Sequence, residues 1–508
     1  MELRTLRLTT TIRLLAVIVV GAVTGCSYTA PEPLPFGVVL ITVDSLRSDR
    51  LGAYGYASAK TPSIDEFASD GALFENAYSD ISWTTASVAS IMTGLYTTGH
   101  GLNQPWLRLP ENQLTIAEVY RGEGYETAAV VGIFSLDAVY GLDQGFDSYD
   151  DDFSLPSVVL DNQAPASNIE LKISDDLQEY NRLSDAKQHN DAYKEDDAVT
   201  DSALAWLRKR KSGPFFLWVH YFGPHERLII IKGGPDNRRR IIEDYDRDLA
   251  VTDAAVGRLL KGIDDLGLRS NTLVVLSSDH GQTLGERGLV GHGTNLYEPE
   301  VRIPLILRLP SRIDPGLRLP QVVRSIDIYP TLLDYAGIAR EENIAGLSLR
   351  SVLDGDDLED RPAFMDLSVV MPALLDDDDG DHYFGRVHMS ALRQGKWKLI
   401  QGELGPSCWE GGSEIEWDFL RMNAMGRKGS IRLPDKECTG IGFTRMFDVS
   451  QRGRALGREN RDMTSRKPER AKAMLETLVE LASGQGEAER FDLTPEQEQK
   501  LKSLGYLR

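Results

Sequence analysis

Apolar runs in this chain stop abruptly at polar residues. Val38-Val39-Leu40-Ile41-Thr42-Val43 gives way at once to Asp44, Phe215-Phe216-Leu217-Trp218-Val219 to His220, and Thr272-Leu273-Val274-Val275-Leu276 to Ser277-Ser278-Asp279-His280. Short, continuous runs rich in β-branched residues predict strands buried on both faces of a sheet. Between the second and third, Tyr245 to Leu260 carries Leu249, Val256, Leu259 and Leu260 at helical spacing. Strands alternating with helices predict an α/β domain, doubly wound around a largely parallel sheet, with ligands held outside the carboxyl ends of the strands.

Elsewhere the pattern weakens. Residues 150–197 show no sustained periodicity and are rich in Asp, Asn, Ser and Gln, which predicts an inserted loop region. Asp376 to Asp379 reads as a solvated acidic loop, with a calcium site as the lesser alternative because no ordered ligand spacing accompanies the charges. Past residue 385 come the strand-like Trp397-Lys398-Leu399-Ile400 and polar helical stretches from Pro468 to Ser483 and Pro495 to Leu504. These predict a larger α/β domain over 37–385 and a smaller C-terminal α+β domain over 386–508, without internal repeats.

The 508-residue chain is 41% hydrophobic, enough apolar surface to fold most of its length. Its net charge of -21 argues against a nucleic-acid surface. Arg4, Arg7 and Arg13, the apolar run Leu14 to Val23 and then Val23-Thr24-Gly25-Cys26 follow the order of a secretory signal over 1–25. The last four residues resemble a bacterial lipobox, which implies cleavage before Cys26, acylation of its thiol and a lipid anchor in the cell envelope, facing the periplasm or the cell surface. The Pro-rich segment 26–36 then serves as a tether. Two cysteines remain, Cys408 and Cys438, which in an oxidising compartment form a disulfide or stay as separate buried thiols.

The strand ends bring candidate chemistry. Asp44, Asp279 and His280 supply two carboxylates and an imidazole, a set that suits one divalent metal, zinc or manganese ahead of calcium or magnesium. In Ser82-Trp83-Thr84-Thr85-Ala86-Ser87-Val88-Ala89-Ser90-Ile91-Met92-Thr93-Gly94 the apolar spacing predicts a helix opening near Thr84 and capped by Gly94. Thr84 is then either a plain N-cap or a hydroxyl placed where helix N–H groups favour an oxyanion.

Taken in order, Val39-Leu40-Ile41-Thr42-Val43-Asp44-Ser45-Leu46-Arg47-Ser48-Asp49-Arg50-Leu51-Gly52, Thr61-Pro62-Ser63-Ile64-Asp65, Met92-Thr93-Gly94, Ser278-Asp279-His280-Gly281 and Gly291-His292-Gly293 resemble the sulfatases of the alkaline phosphatase superfamily. The resemblance covers most of Val38 to Gly337. It implies that Asp44, Asp279 and His280 ligate metal, that Thr84 is both nucleophile and metal-contacting group, and that His225 and His292 touch the transferred group or the leaving oxygen. Proton donation to a departing alkoxide is within reach of either imidazole.

Departures narrow the chemistry. Sulfatases proper place Cys or Ser at the nucleophile, followed by Pro and Arg, and convert it to formylglycine, whereas Thr84, Ala86 and Val88 stand here. Ser45 replaces a second metal-binding Asp, Ile133 stands where a substrate-binding Lys is common, and Gly223 occupies a position that is often Asp. The expected function is metal-dependent hydrolysis of sulfuric or phosphoric esters of a small molecule, glycan or lipid, with phosphoester chemistry favoured. The alternatives are a phosphotransferase acting on envelope glycans or lipids and a non-catalytic surface lipoprotein.

Mass spectrometry of the mature N-terminus should find an acylated Cys26 as the first residue; an uncleaved chain with an unmodified Cys26 would refute the anchor. Thiol labelling of unfolded, unreduced protein should leave Cys408 and Cys438 unlabelled if they are paired.

Overall fold

A computed structural model describes residues 36–103, 107–153, 193–225, 235–339, 343–356, 361–376, 382–406, 414–415, 431–432, 441–450, 459, 461–482, 489–490 and 494–503. The signal segment, the tether to residue 35, Cys408, Cys438, residues 377–379 of the acidic loop and 154–192 of the inserted loop region lie outside them.

Eight strands form the main sheet: β1 (Gly37–Val43), β2 (Ala72–Tyr78), β3 (Glu126–Val131), β4 (Ser148–Asp150), β5 (Phe215–Tyr221), β6 (Thr272–Ser278), β7 (Arg302–Arg308) and β8 (Leu317–Arg324). Their order across the sheet is β8-β2-β7-β6-β1-β5-β3-β4. All neighbouring pairs are parallel except those of β7, which runs antiparallel to β2 and β6. The sheet is therefore largely parallel, with the three apolar runs of the sequence as its central strands.

Because successive side chains alternate between faces, the central strands feed two cores. Val38 and Leu40 join one apolar cluster, while Val39, Ile41 and Val43 join another. Helix α1 (Pro62–Ser69) adds Ile64 to the second face and α2 (Thr84–Thr93) adds Val88, Ile91 and Met92 to the first. Helices α3 (Asp196–Lys209) and α4 (Pro235–Asp265) join α1 on the second face through Val199 and Leu249. Covering both faces is what permits strands this apolar.

A smaller antiparallel sheet follows, β9 (Ala363–Asp376), β10 (His382–Gln394), β11 (Trp397–Pro406) and β12 (Ile441–Asp448), packed against the helix Pro468–Leu481 through Phe364, Leu392, Leu399, Met446, Met474 and Leu478. Its first strand begins ahead of residue 386, where the sequence pattern placed the change. The strand was hard to read because β9 runs into the acidic stretch that reads as a loop.

The two sheets are joined by buried charge. The Lys398 amine on β11 lies 3.0 Å from Glu298 Oε1 and 3.4 Å from Glu459 Oε1. Tyr78 Oη donates to Glu298 Oε2 at 3.0 Å and accepts from Arg393 Nε at 2.9 Å. Removing one member of such a group leaves an uncompensated charge in a dry interior. Lys398→Ala should lower stability by about 3–5 kcal/mol, read as a shift in the urea midpoint. Lys398→Ala combined with Glu298→Gln should recover part of the loss.

Candidate active site

Residue-by-residue registers bring the site together. Val43 pairs with Tyr221 on one side and Ser278 on the other, so β5, β1 and β6 end level with one another. Asp44, Asp279 and the turn after Tyr221 thus emerge side by side. The chain then turns at Ser45, whose φ of 57° lies in the left-handed region that non-glycine residues enter at a cost. Three contacts hold it there: its N–H donates to Asp279 Oδ1 (3.1 Å), its hydroxyl to Asp44 Oδ1 (2.8 Å), and its carbonyl accepts from Tyr245 Oη (2.9 Å). Ser45 therefore positions both carboxylates. Arg47, also buried, ties the same turn to the far strand end through Gln282 O (2.8 Å), Glu286 (3.0 Å) and Asp49 (2.9 Å).

Thr84 opens α2, and Gly94 closes it in the left-handed conformation, as the sequence pattern predicts. Thr84 Oγ1 lies 3.1 Å from His280 Nε2 and also hydrogen-bonds the Asp44 carboxylate. His280 Nδ1 is 2.9 Å from Gly281 O. A carbonyl can only accept, so Nδ1 carries the hydrogen and Nε2 presents a lone pair. Burial holds the imidazole neutral by lowering its pKa to about 4.

Asp44, His220 and Asp279 each place a donor atom within 4.8 Å of the others, and all three residues are fully buried. Asp44 Oδ2, Asp279 Oδ2 and His220 Nε2 have no hydrogen-bond partner. His280 Nε2 stands 3.5 Å from Asp279 Oδ2 and 3.9 Å from Asp44 Oδ1. Burial pushes the pKa of both carboxyls up, and for Asp44 the neighbouring Asp279 pushes it further. A divalent cation answers both the orphaned atoms and the stacked charge, so the donor set fits a metal.

His225 and His292 form a pair, Nε2 to Nε2 at 2.9 Å. His292 Nδ1 lies 3.2 Å from the Ser82 carbonyl and so carries its hydrogen there, which makes His225 Nε2–H the donor between the rings. His292 also stacks on His280 with centroids 4.2 Å apart, and burial, with His280 adding to it, lowers its pKa well below the usual value. On the other side His225 stacks on Phe222 (4.9 Å), which stacks on Tyr193 (4.8 Å). Glu300 fixes the following loop by accepting from the N–H groups of Thr294 (3.3 Å) and Asn295 (3.2 Å).

The structure thus gathers Asp44, Thr84, Asp279 and His280 at one point and places His225 and His292 together beside it. Sequence reasoning passed over His220, although it ends an apolar run as Asp44 does, and also Glu300. Ile133 is buried, and the adjacent Lys194 amine is bound to Asp150 Oδ1 at 2.6 Å, so neither offers a cation to an anionic ligand. At Gly223 a side chain has no room: φ is 61° and a Cβ would fall 2.7 Å from Val43 Cγ1.

The Sulfatase family model matches residues 37–338. An ulvan-active sulfatase of Formosa agariphila is 30% identical over 360 residues, covering 66% of this chain and 68% of that protein. Among solved structures, the phosphonate monoester hydrolase of Agrobacterium radiobacter shares the fold with a TM-score of 0.60 at 16% identity, over 88% of this chain and 95% of its own. Another, solved with its substrate D-glucosamine-2-N,6-O-disulfate, also has a TM-score of 0.60, at 20% identity over 88% and 97%. With the family model spanning more than half of the chain, the protein belongs to the sulfatase family of the alkaline phosphatase superfamily, and so to a family of hydrolases.

Proposed function

We propose that this chain is a metal-dependent hydrolase of phosphoric or sulfuric esters in which Thr84 is the nucleophile, with phosphoesters favoured. The observation that carries the reading is the Thr84 hydroxyl, 3.1 Å from the His280 Nε2 lone pair and hydrogen-bonded to Asp44 at the start of a helix. Asp44, Asp279 and His280 would hold the divalent ion, which supplies Lewis acidity that polarises the ester and favours the alkoxide form of a nearby hydroxyl.

The remaining steps belong to the protein. Asp44 accepts the Thr84 proton as Oγ1 closes on phosphorus, and the backbone N–H groups at the start of α2 favour the negative charge of the transferred group. His225 Nε2–H, which donates to His292 at rest, is the hydrogen available to the departing alkoxide. Water then attacks the phosphothreonine, releasing phosphate or its monoester and restoring the hydroxyl. Thr84, Ala86 and Val88 are not the residues that formylglycine formation uses, and the phosphonate monoester hydrolase among the structural neighbours supports a turn toward phosphorus. Ile133, in the place of a cation, favours a singly charged diester over a dianionic monoester. The sulfated glucosamine bound by one structural neighbour and the ulvan activity of the Formosa agariphila relative support a carbohydrate-linked substrate. The N-terminal signal and Cys26 support an exported, lipid-anchored location.

Purified protein assayed on aryl phosphodiesters, phosphomonoesters and sulfates should favour the diester. Thr84→Ala should lower kcat on the best ester by on the order of a thousandfold or more while keeping bound metal, and Asp279→Asn should lose metal as well. Full activity of Thr84→Ala would overturn the mechanism.

A further inference from the structure

We infer that His220 is a fourth protein ligand of the metal site, completing a set of two carboxylates and two imidazoles that selects zinc, cobalt or manganese over calcium and magnesium. The inference rests on the metal-dependent reading above and adds a residue from a different strand, β5.

His220 Nε2 is fully buried, has no hydrogen-bond partner and lies 4.0 Å from Asp44 Oδ2, which has none either. That separation is too long for a hydrogen bond, which spans about 2.7–3.2 Å. It suits two donor atoms that each approach one ion to about 2.1 Å and so stand at most about 4.2 Å apart. A fully buried ring nitrogen without a partner is costly, and a bound ion at this distance from the Asp44 and Asp279 oxygens would relieve all three orphaned atoms together.

The other ring nitrogen is held as metal-binding imidazoles commonly are. His220 Nδ1 lies 2.7 Å from Thr42 Oγ1, and Thr42 Oγ1 accepts the indole N–H of Trp218 at 2.9 Å. The parallel register pairs His220 with Thr42 directly, two residues before Asp44. One strand thus orients the imidazole that its neighbour contributes, and Trp218 orients the threonine. The turn after β5 offers no ligand at Gly223, which has no space for a side chain. His220 supplies from within the strand what that turn does not.

Donor type decides the ion. Calcium takes six to eight oxygens and magnesium keeps its waters, whereas imidazole nitrogen suits the later divalent metals. Replacing an oxygen ligand by a second imidazole moves the site away from the hard cations.

The test uses the full chain, stripped with chelator and titrated with cobalt as a spectroscopic probe, then with zinc and calcium. Proton NMR of the cobalt-loaded wild type should show two strongly shifted, solvent-exchangeable imidazole N–H signals, one from each ring. His220→Ala should lose one of them, alter the visible absorption of bound cobalt and raise the Kd for zinc by about 100-fold or more, with little change for calcium. Thr42→Val, acting through ring orientation alone, should raise the zinc Kd by about 10-fold. A single shifted signal in the wild type overturns the inference without reference to any variant's folding. So does a folded His220→Ala protein with wild-type cobalt spectrum and affinity. Wild-type protein that binds no cobalt or zinc overturns the metal-dependent function as well.

Discussion

Asp44 and Asp279 sit at the ends of adjacent strands with no solvent exposure, and Asp44 feels the negative charge of Asp279 and Asp196. Two carboxylates in a dry pocket repel, and burial already disfavours the charged form of each. The backbone answers part of this strain: Ser45 N–H and His280 N–H both donate to Asp279 Oδ1. The divalent cation proposed for this site would answer the rest. Much of the local architecture, including the left-handed Ser45 and the neutral histidines, follows from keeping that charge deficit in place.

A largely parallel sheet delivers such a site with little local invention. Once β5, β1 and β6 are in register, their carboxyl ends present side chains at one level, and the helices on both faces keep water away from everything below. The helix that brings Thr84 is buried along its whole length, and Val88, Ile91 and Met92 anchor it in the apolar cluster one and two turns further on. Rigidity there would serve the proposed attack by Thr84, which tolerates little misplacement.

The central strands were legible because continuous apolar runs have few other solutions, and Asp44, Thr84, Asp279, His280, His225 and His292 were legible through ordered motifs. His220 was harder to see. A histidine at the end of a buried strand resembles an ordinary strand terminus until the neighbouring register shows that it faces Asp44 across 4.0 Å. Glu300 escaped notice for a related reason: its hydrogen bonds to Thr294 and Asn295 close a loop that no spacing rule describes. The onset of the second sheet is hard to read in sequence because Ala363–Asp376 ends in acidic residues that suggest a loop, while its pairing with His382–Gln394 shows only in the fold.

The buried amine of Lys398 bears on how far the fold can be taken apart. The family match ends at residue 338, yet Glu298, which lies within it and shares a four-residue helix with Glu300, has its counter-charge on a strand of the later sheet. The boundary recognised in sequence is therefore not a boundary in electrostatics. A fragment cut at the end of the match would bury one carboxylate without its partner, next to the residue that steadies the His292 loop. In this protein the C-terminal sheet is not a removable module, and shuffling it between relatives would require Lys398, Glu298 and Glu459 to travel together.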